Sequence, residues 1–139
     1  MNCRLSCGAD RKIGRLGYTY EKEGKIQKHG VFRTESSNLK ENILVSITKG
    51  MRACREDVNH DDLLIIEVQN QHLAQWLSGE VSYKGYEEHL DTLFDTLESM
   101  DCRYKFLYVD KPFALSYIKT HDVEKVKLSP MSEMMKEFA

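Results

Sequence analysis

The polar and apolar positions of this chain break into short β-forming runs first and helical stripes afterwards. Residues 3–9 read as a short strand ending at Gly8, followed by a basic turn, Asp10-Arg11-Lys12-Ile13-Gly14-Arg15. Leu16-Gly17-Tyr18-Thr19-Tyr20-Glu21 is rich in β-formers and predicts a second strand. Glu23-Gly24-Lys25 supplies a hairpin turn, and residues 26–34 return antiparallel. A three-strand meander is therefore predicted at the start.

The period then changes. Leu39, Ile43, Leu44, Ile47, Met51 and Cys54 lie on one stripe at helical spacing. Asn38 with Glu41 three residues on has the form of a capping box, which starts the helix there. Beyond a polar break, Leu63-Leu64-Ile65-Ile66-Glu67-Val68 is the near-continuous apolar run of a central strand covered on both faces. Residues 70–77 predict a short helix carrying Leu73, Trp76 and Leu77, with Gly79 ending it. Tyr86, Leu90, Leu93, Phe94, Leu97 and Met100 define another amphipathic helix. A strand over residues 104–109 and a helix beginning at Pro112 complete the order strand-strand-strand-helix-strand-helix-helix-strand-helix. Residues 1–120 are read as one domain and residues 121–139 as a C-terminal extension. There, 123–128 alternates like a strand, and Met131, Met134, Met135 and Phe138 form a narrow apolar stripe. That stripe suits a helix on the domain's own core, or a surface for a protein partner or a second copy of the chain, since Met-rich surfaces adapt to what they meet.

Composition narrows the functional classes. A chain of 139 residues suits one compact domain with a real core. Lys and Arg number 20 against 22 Asp and Glu, so bulk electrostatics do not hold nucleic acid here, and only a local basic patch remains available. No apolar run reaches the roughly 20 residues of a membrane span. The start, Met1-Asn2-Cys3-Arg4-Leu5-Ser6-Cys7, lacks the apolar stretch of a secretory signal, so a cytoplasmic location is expected. Cys3, Cys7, Cys54 and Cys102 do not have the paired spacing of a zinc site and read as small buried hydrophobes. No metal site is expected from them, and the five histidines are scattered.

Three motifs in this order resemble the ribonuclease H-like family. Ser6-Cys7-Gly8-Ala9 followed by Gly14-Arg15-Leu16-Gly17-Tyr18 looks like the family's strand ending in Asp-Gly-Ser and its Gly-rich second strand. Ser37-Asn38-Leu39-Lys40-Glu41, with Gly50 further on, resembles its Asn-x-x-Glu helix start. Ile65-Ile66-Glu67-Val68-Gln69-Asn70-Gln71, with Leu73 and Trp76, is similar to its fourth strand and next helix. The resemblance covers residue 3 to about 119. It implies an α/β fold whose mixed sheet, an antiparallel meander plus parallel strands, is flanked by helices.

Members of that family use a carboxylate cluster to hold two divalent ions that clamp the attacking water and the leaving oxygen of a phosphodiester. Glu41 matches the helix carboxylate. Cys7 and Gln69 stand where the first-strand and fourth-strand Asp are expected, and the last falls near Leu115 or Ser116. A thiol, an amide and an aliphatic chain cannot supply the charged oxygens that hard ions need. The resemblance thus implies a degenerate member, a pseudo-enzyme serving as a binding or regulatory module without a cofactor. The alternative is a divergent ribonuclease using Mg²⁺ or Mn²⁺ on RNA–DNA hybrids, with Asp10, Glu67 and Asp110 rebuilding a site around Glu41. For nucleic-acid binding the candidates are Arg11, Lys12, Arg15, Arg33 and Lys40 along one edge, with Tyr18 as a stacking ring.

Overall fold

The computed structural model describes residues 1–79 and 85–123. Three strands, β1 (Asn2–Asp10), β2 (Arg15–Lys22) and β3 (Lys25–Arg33), form the predicted meander. They are followed by α1 (Leu39–Cys54), β4 (Leu63–Val68), α2 (Gln71–Leu77), α3 (Glu87–Met100), β5 (Arg103–Tyr108) and α4 (Phe113–Thr120). The sheet order is β3-β2-β1-β4-β5, with β4 parallel to both β1 and β5. This is a ribonuclease H-like mixed sheet flanked by four helices among the described residues. The stripe Met131, Met134, Met135 and Phe138 and the strand expected over 123–128 fall largely on 124–139, outside the described residues.

Side-chain parity gives the sheet two different faces. On one, Cys3, Leu5, Cys7 and Ala9 of β1 join Leu16, Tyr18 and Tyr20 of β2 and Leu64, Ile66 and Val68 of β4. Helix α1 covers this face with Ile43, Leu44, Ile47, Met51 and Cys54, the stripe read from the sequence. Each fully buried Leu or Ile contributes roughly 1.5–3 kcal/mol through removal from water. Asn38 caps α1 as predicted, its side chain accepting the Glu41 N–H at 3.1 Å. Helix α3 packs on α1 through Leu93, Leu97 and Met100, whereas Phe94 of the same predicted stripe is exposed.

The opposite face carries Ser6, Gly8, Gly17, Thr19 and Glu67, and α4 packs over β1 and β2 there. Two glycines set how close α4 comes. A Cβ on Gly17 would sit 2.6 Å from Ile118 Cγ2 and 2.4 Å from the Gly30 carbonyl, and one on Gly8 would meet the Leu115 backbone at 3.1 Å. The Ala114 N–H donates to Ser6 Oγ at 2.9 Å, pinning the helix start. Because α4 sits over β1 and β2, Leu63 and Ile65 of β4 are only half-buried, which corrects the expectation of a central strand covered equally on both faces.

Candidate functional site

The carboxyl ends of β1 and β4 and the start of α1 meet at a cleft of about 250 Å³ lined by Asp10, Arg11, Lys12, Leu39, Gln69 and Leu115. Its centre is a stitch between two strands. Gln69 Oε1 accepts the Ala9 N–H at 2.9 Å while its amide nitrogen donates to the Ala9 carbonyl at 3.1 Å. The amide thus joins the end of β1 to the end of β4, and both its polar ends are used. Leu115 closes over Gly8 from the other side. Cys7, one strand turn below, is fully buried, and burial pushes its thiol well above its ordinary range, so it stays protonated.

The carboxylates proposed to rebuild a metal site go to separate places. Glu41 accepts from Ser36 Oγ at 3.1 Å and lies 3.4 Å from His89 Nε2, tying α1 to α3. Asp10 accepts the Lys12 N–H at 2.9 Å and lies 3.8 Å from Lys119 of α4. Glu67 pairs in register with Ser6 and so belongs to the α4 face, away from the face that α1 covers. Asp110 accepts from the Tyr108 hydroxyl at 3.3 Å. Among the described residues no three His, Cys, Asp or Glu side chains come together to hold a metal. Hard divalent ions need converging, mostly anionic oxygens, and a protonated thiol with a fully engaged amide does not provide them. These residues do not fit a two-metal centre.

The basic edge is divided as well. Arg11, Lys12 and Arg33 are exposed. Arg15 instead donates to the carbonyls of Ile118 at 3.1 Å and His121 at 2.9 Å, holding the end of α4. Lys40 lies 4.9 Å from the centre of the Trp76 ring. Tyr18 was expected as a surface ring, but it is buried under α1 with its centroid 6.1 Å from that of Phe32, so it offers no face to a base. The cysteines are free thiols, three of them buried, and burial raises Cys54 to about 12.

A second cleft, of about 280 Å³, lies on the α4 face and was not foreseen from the sequence. Glu67 and Thr19 line it, with Lys111 and Phe113 on the approach to α4. The available signal was Glu67 itself, the single charge inside an apolar strand.

No protein-family model matches the sequence, and no curated protein matches it significantly. Solved structures do match in fold. The LC11 ribonuclease H1, isolated from compost and solved with an RNA/DNA hybrid, superposes with a TM-score of 0.63 at 9% identity over 78% of this chain and 83% of its own. The N-terminal ribonuclease H domain of Rv2228c from Mycobacterium tuberculosis gives 0.63 at 8% identity, covering 78% and 87% of the two chains. Ribonuclease H1 from Halobacterium salinarum gives 0.56 at 13% identity, covering 78% and 83%. This chain has the ribonuclease H-like fold.

Proposed function

We propose that this chain is a catalytically degenerate ribonuclease H-like module that binds nucleic acid without cleaving it. The observation that carries this reading is the Gln69 stitch. The cleft at the carboxyl ends of β1 and β4 is closed by an amide bonded to Ala9 and by Leu115, where a cluster of charged oxygens would be needed. Fold alone does not settle function, so the argument rests on these side chains. A nucleic-acid partner is supported by exposed Arg11 and Lys12 at the rim of the cleft, Arg33 near it, and the hybrid held by the structurally similar LC11 enzyme. Three exposed cations at one edge suit a weak, salt-dependent contact with phosphates.

A labelled RNA–DNA hybrid incubated with the protein in Mg²⁺ or Mn²⁺ tests the reading. Intact hybrid is the expected result, together with binding whose affinity falls about two to three decades per decade of salt, as three neutralised phosphates imply. Cleavage that disappears in Glu41→Gln would establish the alternative, a divergent metal-dependent ribonuclease.

A further inference from the structure

We infer that the C-terminal segment docks on the domain's own sheet, its Met131, Met134, Met135 and Phe138 stripe covering the open half of the α4 face. Strand β4 is apolar at every position but Glu67, the pattern of a strand covered on both sides. One side is covered, because Leu64, Ile66 and Val68 join the core that α1 and α2 close. The other side is not. Helix α4 lies over β1 and β2, which leaves Leu63 and Ile65 half-buried. Leu107, paired with Glu67 on the same side, is 39% exposed. Phe113, at the start of α4, is 54% exposed and borders this area across the cleft that Glu67 lines.

The chain's own tail is the cover that fits. Val123 packs on Val31, Tyr117 and Ile118, so the chain leaves α4 on this same face, beside β3. Val31 pairs with Gly17 and Gly17 with Gly8, while Ile65 pairs with Arg4. Ile65 is therefore three strands across and four residues along from Val31, roughly 20 Å away. The stretch from Val123 to Met131 reaches about 26 Å when extended, enough to cross that distance. Ser129-Pro130 is a helix start, and the stripe repeats at helical spacing behind it. A helix over 130–138 is about 13 Å long, which suffices to lie across Leu63, Ile65 and Leu107. Charge agrees with this placement. Exposed Lys105 sits beside Ile65 and exposed Lys111 lines the bordering cleft, while Glu133 and Glu137 share one flank of the expected helix. Unbranched Met side chains also fill the irregular cleft of about 280 Å³ readily. Tethering at Val123 holds the stripe near this face at about millimolar effective concentration, which favours it over a second copy arriving from solution. Neither binding nor cleavage of a hybrid bears on this docking.

Carbene labelling of the full chain, with each residue's yield normalised to the urea-unfolded protein, is the test. Leu107 and Phe94 have nearly equal exposure in the domain, 39% and 38%, so Phe94 on α3 serves as the internal reference. With the stripe docked, Leu107 should label severalfold less than Phe94, and Phe113 should be protected with it. Met134→Glu combined with Met135→Glu puts two charges into the stripe, which should raise Leu107 to the Phe94 level and lower the urea midpoint. Carbodiimide cross-linking of a mixture of isotopically light and heavy protein identifies the occupant. Links from Glu133 or Glu137 to Lys105 or Lys111 should form within single chains. If the doubly substituted chain does not fold, the Leu107-to-Phe94 ratio and the links in the unaltered protein decide the matter. Equal labelling of Leu107 and Phe94 in the unaltered protein would leave the face open and overturn the proposal. Links that join light chains to heavy ones would assign the face to a second copy and overturn it as well.

Discussion

Gln69 and Glu67 stand two residues apart at the end of one strand, and their surroundings treat them in opposite ways. Gln69 spends both ends of its amide on the Ala9 backbone, so its own hydrogen bonds close within the protein. Glu67 lines the cleft on the α4 face and lies 3.5 Å from the half-exposed Arg4 Nε. A polar group whose bonds all close within the protein serves architecture. In this chain the fourth-strand position that the resemblance pairs with a carboxylate holds an amide joining two strands, and Glu67, read from the sequence as a helper to Glu41, belongs to the opposite face of the sheet.

The strongest way to break this contrast is to put a carboxylate back. Cys7→Asp places a charge at a site with no exposure and should destabilise the chain by about 3–5 kcal/mol, read from the urea midpoint. A variant that kept its stability and bound Mn²⁺ would show that the cleft is a dormant metal site. A sharper test compares the two neighbours directly. Gln69→Ala strips partners from the Ala9 N–H and carbonyl and should cost about 1–3 kcal/mol. Glu67→Gln removes one half of a pair whose other member is exposed and should cost under about 1 kcal/mol. The reverse order in chemical denaturation would make Glu67 the structural residue.

The smallest effect comes from a buried carboxylate that is well partnered. Asp62 accepts the Asn59 N–H at 2.9 Å and lies 3.2 Å from Lys22 Nζ, and these, the backbone N–H first, hold its carboxyl below the usual range. A lowered folded value means that the contribution is full above the unfolded value of about 3.9 and is lost as pH falls through the folded one. Asp62→Asn should therefore be less stable at neutral pH and should lose less on acidification. Urea midpoints at pH 7 and pH 3 measure both, and parallel curves for the two proteins would remove Asp62 from the acid response.

Much of the fold was readable because the signals are local. Asn38 and Glu41 lie three residues apart, and the Asn38 half of the predicted capping box forms, while the Asn38 N–H goes to Ser36 Oγ, which in turn donates to Glu41. The α1 stripe needs only a period of 3.6, and β4 needs only a run of apolar residues. The site was less readable because its bonds join distant positions. Gln69 meets Ala9 across 60 residues, and Arg15 reaches the Ile118 carbonyl across 103. The sequence pattern put Arg15 in a basic turn and Tyr18 on the strand beside it, whereas β2 begins at Arg15. It could not tell that one would cap α4 and the other would face α1.

By itself the sequence determined the element order, the start of α1 and the absence of charge at Cys7, Gln69 and Leu115, since residue type and short-range spacing are enough for those. Only the tertiary structure decided which face each side chain joined. Strand pairing fixed the parity that separates Glu67 from the α1 face, and the close approach of α4 at Gly8 and Gly17 set what covers each end of the sheet. Burial and hydrogen-bond satisfaction depend on those long-range contacts. They made Gln69 a stitch between β1 and β4 and put Glu67 on the α4 face beside Arg4.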